Sequence, residues 1–196
     1  MATPKSQRIG IWVIASVLMI GTIGSFAVMI LQSQNAQTDQ QQQQKLIEEY
    51  QKQLADQQKQ ADELSSQYYA EFSQYKDVPA AFDMNAVGDK VTTNDLKPGT
   101  GAEIKSDTKY KAYYIGWNPK GKVFDSSISD QKLKAPIDTA TTTLIEGWSQ
   151  GTVGMKVGGV REITIPSDLA YKDQGSGDDI PPNTPIKFVV MVIATN

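Results

Sequence analysis

No charged residue interrupts the chain between Ile9 and Leu31 (IGIWVIASVLMIGTIGSFAVMIL). At about 1.5 Å per helical residue this run is long enough to cross a hydrocarbon core of ~30 Å. It exceeds the ~7–15-residue apolar core of a cleaved signal peptide, and the nearest small-residue site, around Asn35 and Ala36, is poor. Nothing in it is amphipathic, which argues against a buried globular helix. The sequence therefore predicts one transmembrane helix over residues 9–31. Lys5 and Arg8 precede it, and no Lys or Arg occurs between Leu31 and Lys45. The excess of positive charge on one side predicts a cytosolic segment over residues 1–8, with the rest of the chain facing outward from the cell membrane. No Cys follows the run, so a lipoprotein anchor is excluded.

Residues 32–45 (QSQNAQTDQQQQQK) have too little apolar surface to pack and read as a Gln-rich, solvated spacer or polar helix. Beyond them Ile47, Tyr50, Leu54, Gln57, Ala61, Leu64, Tyr68 and Glu71 fall at alternating steps of three and four, the spacing of a coiled-coil seam. Two of these positions are polar and the run is short. Two readings follow for the 32–79 stalk: a homodimer through a coiled coil, or a single amphipathic helix that spaces or rests on the next domain, with Tyr68, Tyr69, Phe72 and Tyr75 as its docking end. Pro79 is the expected stop.

From residue 88 to 196 Gly and Pro punctuate short runs of β-branched and aromatic residues, the texture of a small β-rich domain. Strands are expected at Tyr110–Trp117, Val160–Pro166 and Ile186–Ile193. In the last, Ile186, Phe188, Val190 and Val192 share one face and Lys187 marks the other. Asn118-Pro119-Lys120-Gly121 reads as a tight turn, and a short Thr-capped helix is expected between Thr143 and Gln150.

The 196 residues contain neither Cys nor His, which removes thiol nucleophiles, His general bases, haem ligation through His and Cys/His zinc sites. A formal charge of −3 leaves no basic footprint for nucleic acid. No phosphate-binding Gly loop, nucleophile elbow or zinc-protease motif occurs. Gly175-Ser176-Gly177 and Asp178-Asp179 read as a solvated loop rather than a phosphate cradle or cation site. What remains is a set of large apolar residues beside turns, which could simply be core.

Their order and neighbours carry a resemblance. Tyr114-Ile115-Gly116-Trp117 followed by Gly121-Lys122-Val123-Phe124-Asp125-Ser126-Ser127, then Leu144-Ile145-Glu146-Gly147-Trp148 with Gly151 and Gly154-Met155-Lys156-Val157-Gly158-Gly159, then Arg161, Ile165-Pro166 and Leu169-Ala170-Tyr171, and finally Ile180-Pro181-Pro182-Asn183 with Phe188, occur in one continuous series. Across roughly Asp95–Ile193 this series resembles the FKBP family of peptidyl-prolyl isomerases, or rotamases. The resemblance implies an α+β fold, an FKBP-like antiparallel half-barrel sheet wrapped around one short helix, here preceded by the transmembrane helix and the polar helical stalk. It implies a catalytic pocket with Trp148 as floor and Tyr114, Phe124, Ile180 and Phe188 as walls. Leu144 and Ala170 would contact substrate beside it. The Tyr171 hydroxyl and the Ile145 N–H would hold a substrate carbonyl, and Asp125 would sit by Tyr114. It implies no cofactor or metal, and Xaa-Pro-containing polypeptides as substrates.

Two departures accompany it. Where the family carries an aromatic-rich segment, this chain has Ala135-Pro136-Ile137-Asp138-Thr139-Ala140, leaving the pocket less apolar on that side. Where the family has Gly after its Leu-Ala-Tyr motif, this chain has Lys172. The leading expectation is a membrane-anchored isomerase assisting the folding of exported proteins. A non-catalytic module that binds a Pro-containing partner, or a protein whose stalk is its principal functional element, are the competing expectations.

Overall fold

The computed structural model describes residues 36–195. The cytosolic segment, the apolar run 9–31 and the start of the spacer lie outside them. Among the described residues no helix is long and apolar enough to cross a membrane.

Helix α1 (Ala36–Phe72) contains no Gly or Pro, and its Gln, Glu, Lys, Leu and Ala residues are good helix formers. It ends at Phe72, where a 3-10 turn (Ser73–Tyr75) takes over, well before Pro79, so the expected stop is corrected upstream. The chain divides into two compact units, the first ending at Lys59 and the second running from Gln60 to the C-terminus. In the first, Leu46, Ile47, Tyr50 and Leu54 are exposed.

The second unit therefore begins inside α1, upstream of residue 88. Its strands are β1 (Thr92–Lys97), β2 (Tyr110–Trp117), β3 (Val123–Ser126), β4 (Ile128–Ser129), β5 (Lys132–Leu133), β6 (Ile137–Asp138), β7 (Val160–Ile165) and β8 (Ile186–Thr195), with helix α2 (Glu146–Thr152) between β6 and β7. The antiparallel sheet runs β1-β7-β8-β2-β3, with β6 paired to the start of β2, while β4 and β5 form a separate hairpin. Helix α2 starts three residues later than the sequence suggests. Ile145, in extended backbone, precedes it and no side chain caps it, which corrects the expected Thr cap.

The period of two sorts the strands onto two cores. Tyr110, Ala112, Ile163, Ile165, Ile186, Phe188, Val190 and Val192 face α2, whereas Tyr113, Ile115, Trp117, Val160, Val189, Met191 and Ile193 form a core on the other side of the sheet. The second face of β8 is thus apolar except at Lys187, because the chain ahead of the domain covers it. Phe72 is fully buried there, with Leu64, Tyr68, Tyr69, Val78 and Phe82 packed around the same cluster. Polar contacts fasten this cover: Leu133 N–H donates to Ser65 Oγ at 2.8 Å, Trp117 Nε1 donates to the Ala80 carbonyl at 3.1 Å, and Lys97 pairs with Glu71 at 2.5 Å. Leu64 and Tyr68, two positions of the heptad seam, are therefore docking residues within one chain.

Candidate functional site

The site lies on the α2 side of the sheet, and small residues let the helix approach it. A Cβ on Gly147 would stand 2.2 Å from Ile165 Cγ2, and one on Gly151 2.4 Å from Ile163 Cγ2, so only glycines fit between helix and β7. Arg161 on β7 ties down the far end of α2. Its guanidinium donates to the Gly151 and Val153 carbonyls, both at 3.0 Å, and to both carboxylate oxygens of Asp95 on β1. That ion pair holds the Asp95 carboxyl below the usual carboxylate range through hydrogen bonding, opposed by partial burial.

Held this way, α2 places the buried Trp148 ring among three others. Trp148 meets Phe188 edge to face at 5.0 Å between centroids and Tyr114 at 5.5 Å; Phe188 in turn meets Phe124 at 5.6 Å and Tyr114 at 6.1 Å. Edge-to-face pairs at these distances are favourable beyond the area they bury. The indole N–H donates to the Tyr110 hydroxyl at 2.9 Å, the Tyr110 hydroxyl donates to Thr152 Oγ1 at 2.8 Å, and Thr152 Oγ1 donates back to the Trp148 carbonyl at 3.1 Å. This closed chain fixes the tilt of the ring.

Gly116 on β2 lies under Phe124 and Phe188: a Cβ there would be 2.7 Å from the first ring and 2.5 Å from the second. Ile180 is buried, and its loop is pinned by Asn118, the residue after β2, whose side chain donates to the Asp179 carbonyl at 2.8 Å while accepting the N–H groups of Lys120 and Lys122. Lys122 pairs with Asp179 at 2.5 Å. Leu144, Ile145, Ala170 and Tyr171 are partly buried and pack against the same cluster. So does Ile137 on β6, an aliphatic residue in the segment that lacks the family's aromatics.

The polar groups are few. The Tyr114 hydroxyl donates to Asp125 Oδ2, and Asp125 Oδ1 accepts the Ser126 N–H at 2.8 Å, with Lys134 at 3.8 Å. Burial, then the hydrogen bond to Asp125 and its charge, push the Tyr114 hydroxyl far above the ordinary phenol range. Burial and the Asp125 charge push Tyr171 up as well. The Tyr114 proton is thus spent on Asp125, while the Tyr171 hydroxyl keeps its proton to donate. The Tyr171 hydroxyl and the Ile145 N–H form no hydrogen bond with a described residue.

The structure thus brings all ten sequence-identified residues to one face of one helix–sheet layer. Sequence reasoning missed Tyr110, Thr152 and Arg161 as supports and Gly116 and Asn118 as shapers. The alternation in Tyr-Lys-Ala-Tyr-Tyr-Ile-Gly-Trp already put Tyr110, Tyr114 and Gly116 on one side of β2. Arg161 stands in the family-like series with no role attached to it, and Thr152 carries no comparable signal.

Residues 101–193 match the family model for FKBP-type peptidyl-prolyl cis-trans isomerase. A probable FKBP-type peptidyl-prolyl cis-trans isomerase of Haemophilus influenzae is 36% identical over 143 residues, covering 70% of this chain and 54% of that protein. This chain therefore spans about half the length of that relative, and the likeness reaches back beyond residues 101–193 into the helix that precedes the domain. An FK506-binding protein of Neisseria meningitidis serogroup A is 37% identical over 99 residues, covering 50% of this chain and 90% of that protein. FK506-binding protein 2 of Dictyostelium discoideum is 40% identical over 94 residues, covering 48% and 70%. The chain belongs to the FKBP-type peptidyl-prolyl cis-trans isomerases, and the activity of its domain is the cis–trans interconversion of Xaa-Pro peptide bonds.

Proposed function

We infer that the substrate proline enters the aromatic chamber over Trp148 and that the enzyme works outside the cell membrane on exported proteins. The observation that carries the first part is the ring cluster of Trp148, Phe188, Tyr114 and Phe124, with two unpaired donors, Tyr171 Oη–H and Ile145 N–H, on residues packed against it.

The physics of the reaction suits this inventory. Rotation about the peptide bond meets a barrier of ~18–20 kcal/mol from amide resonance, while the cis and trans forms of Xaa-Pro differ by only about 1 kcal/mol. No bond breaks, so neither nucleophile nor metal is needed. The planar amide is more charge-separated than the twisted one, so a chamber that excludes water disfavours the planar form relative to the transition state. Tyr171 and the Ile145 N–H hold the flanking carbonyls while the proline ring packs on Trp148. Asp125 keeps the Tyr114 hydroxyl occupied, so that this wall presents ring rather than a competing donor.

The uncharged run 9–31, preceded by Lys5 and Arg8, supports the anchored, outward-facing placement. The full chain in lipid vesicles should accelerate cis-to-trans conversion of an Xaa-Pro tetrapeptide, and Trp148→Ala should remove most of that acceleration. Equal catalysis by the variant would refute the chamber. Protease added outside intact cells should cleave the domain; full protection would refute the outward placement.

A further inference from the structure

A cavity of about 190 Å³ lies beside the aromatic chamber and shares none of its four rings. Apart from Leu144, every residue of its wall carries an ammonium or a hydroxyl. Lys105 and Lys109 bracket a turn closed by the Thr108 N–H on the Lys105 carbonyl. Neither lysine forms an ion pair with a described residue, and no carboxylate lines the cavity.

The hydroxyls are oriented by what they already accept. Thr108 Oγ1 accepts the Lys105 N–H at 3.0 Å, and Thr139 Oγ1 accepts the Tyr110 N–H at 2.9 Å. Their protons remain to be donated, as do those of Ser106 and Ser149 in the same wall. Tyr110 and Thr152, by contrast, are locked in the hydrogen-bond chain that holds Trp148. The cavity therefore combines two ammonium groups that have no ion-pair partner among the described residues with a ring of hydroxyl donors, and is roomy enough for several waters or one small oxyanion. A cation would be repelled by the two ammonium groups, and a neutral sugar would draw nothing from them that an oxyanion does not draw more strongly.

We propose that this cavity is a binding site for a phosphate-class oxyanion, either free phosphate or a phosphate monoester. Its wall residue Tyr110 accepts the Trp148 indole N–H, so occupancy is reported at the floor of the isomerase chamber. The test follows the Trp148 indole N–H resonance of the full, ¹⁵N-labelled chain in detergent micelles. Inorganic phosphate and glycerol 3-phosphate are titrated in parallel, with sodium chloride at matched ionic strength and glucose as controls. A saturable shift with either phosphate is expected, and the arm that saturates at lower concentration identifies the source. Replacing both lysines (Lys105→Gln with Lys109→Gln) should weaken binding by at least about tenfold, since charge-assisted contacts are lost, while isomerisation without phosphate is unchanged. A shift reproduced by chloride or by glucose, no saturation with either phosphate, or unaltered affinity in the double variant would overturn the assignment.

Discussion

Trp148 donates its indole N–H to Tyr110 at 2.9 Å, and both residues are buried on the α2 side of the sheet. The floor of the chamber is thus held by a strand residue outside the ring cluster. Tyr110→Phe keeps the ring but removes the acceptor, leaving the buried indole donor unpaired while Thr152 Oγ1 loses the proton it accepts and keeps its own bond to the Trp148 carbonyl. A cost of about 1–3 kcal/mol in folding stability is expected. Because the Trp148 tilt is also released, kcat/KM should fall by about tenfold, equivalent to ~1.4 kcal/mol of transition-state stabilisation. Urea unfolding and the tetrapeptide assay read the two effects separately. Unchanged stability would show that the bond is replaced by water.

Gly116 makes the opposite kind of contribution, through the atom it lacks. In Gly116→Ala the new methyl would sit 2.5 Å from Phe188 Cε1 and 2.7 Å from Phe124 Cζ, so one ring must move. Overpacking of this kind costs about 1–3 kcal/mol. The displacement falls directly on the chamber wall, so catalysis should drop by more than stability alone explains. An assay far below the melting temperature tests this: full activity there would mean the rings yield without reshaping the pocket.

The two preceding cases mark where the sequence is readable. Trp148, Phe188, Phe124 and Tyr171 stand out because large aromatics beside turns recur in a family order, and the strands at 110, 160 and 186 announce themselves by β-branched runs. Tyr110 and Gly116 were half visible, in the alternation of β2. The cover on the other side of the sheet is one of the two readings of the stalk, a helix resting on the domain through Tyr68, Tyr69, Phe72 and Tyr75, and Val189-Val190-Met191-Val192-Ile193, apolar at every position where a one-faced strand would alternate, calls for it. What covers it is the end of α1, whose spacing fits a dimer seam or a docked helix equally well, so the docking of Leu64, Tyr68 and Phe72 becomes legible only in the tertiary packing. The start of α2 is not legible because Leu144 and Ile145 fit its apolar face, although the backbone of Ile145 is extended.

Among the described residues, that second core contains a buried group without a partner. The Tyr113 hydroxyl is buried and unbonded, between Tyr68 and Phe72 at ring distances of 6.1 and 6.0 Å. Tyr113→Phe removes an unsatisfied polar atom at nearly constant shape, so stability should hold or rise by about 1 kcal/mol. Burial, with the neighbouring Tyr68, raises its titration from 10.0 to about 12. A raised folded-state value means that the unfolded chain loses its proton first. Tyr113 therefore lowers stability as pH climbs from 10 through 12, and not below 10. Unfolding of the wild type should weaken more steeply across that window than that of Tyr113→Phe; parallel curves would contradict the assignment.

The extent of the folding unit can be tested by truncation. A fragment of residues 60–196 keeps Leu64, Tyr68 and Phe72 on the sheet, whereas residues 88–196 expose Tyr113, Ile115, Val189 and Met191. Truncating Phe72 alone to Ala should cost about 3–5 kcal/mol, against a total domain stability of about 5–15 kcal/mol. The longer fragment should melt cooperatively. The shorter one should unfold at least about 10 °C lower or fail to fold, since several kcal/mol are lost and each moves the midpoint of a domain of this size by about 2–8 °C. Equal melting temperatures would show that the helix merely rests on the sheet.

Lys172 follows Tyr171 in left-handed backbone, with φ of 55°, a conformation that favours Gly. Its N–H donates to the Ser167 carbonyl at 2.9 Å and its carbonyl accepts the Asn183 N–H at 2.8 Å, so the turn is bonded on both sides and must keep this conformation. A residue with a Cβ is strained there by about 1–2 kcal/mol, and the loss of chain entropy with Gly offsets about 0.5–1 kcal/mol of any relief. Lys172→Gly should therefore raise stability by up to about 1 kcal/mol, measured by urea unfolding, with isomerase activity retained because the bonds that set Tyr171 are made by backbone. A destabilised Lys172→Gly would show that the exposed lysine side chain contributes an interaction larger than the strain it imposes.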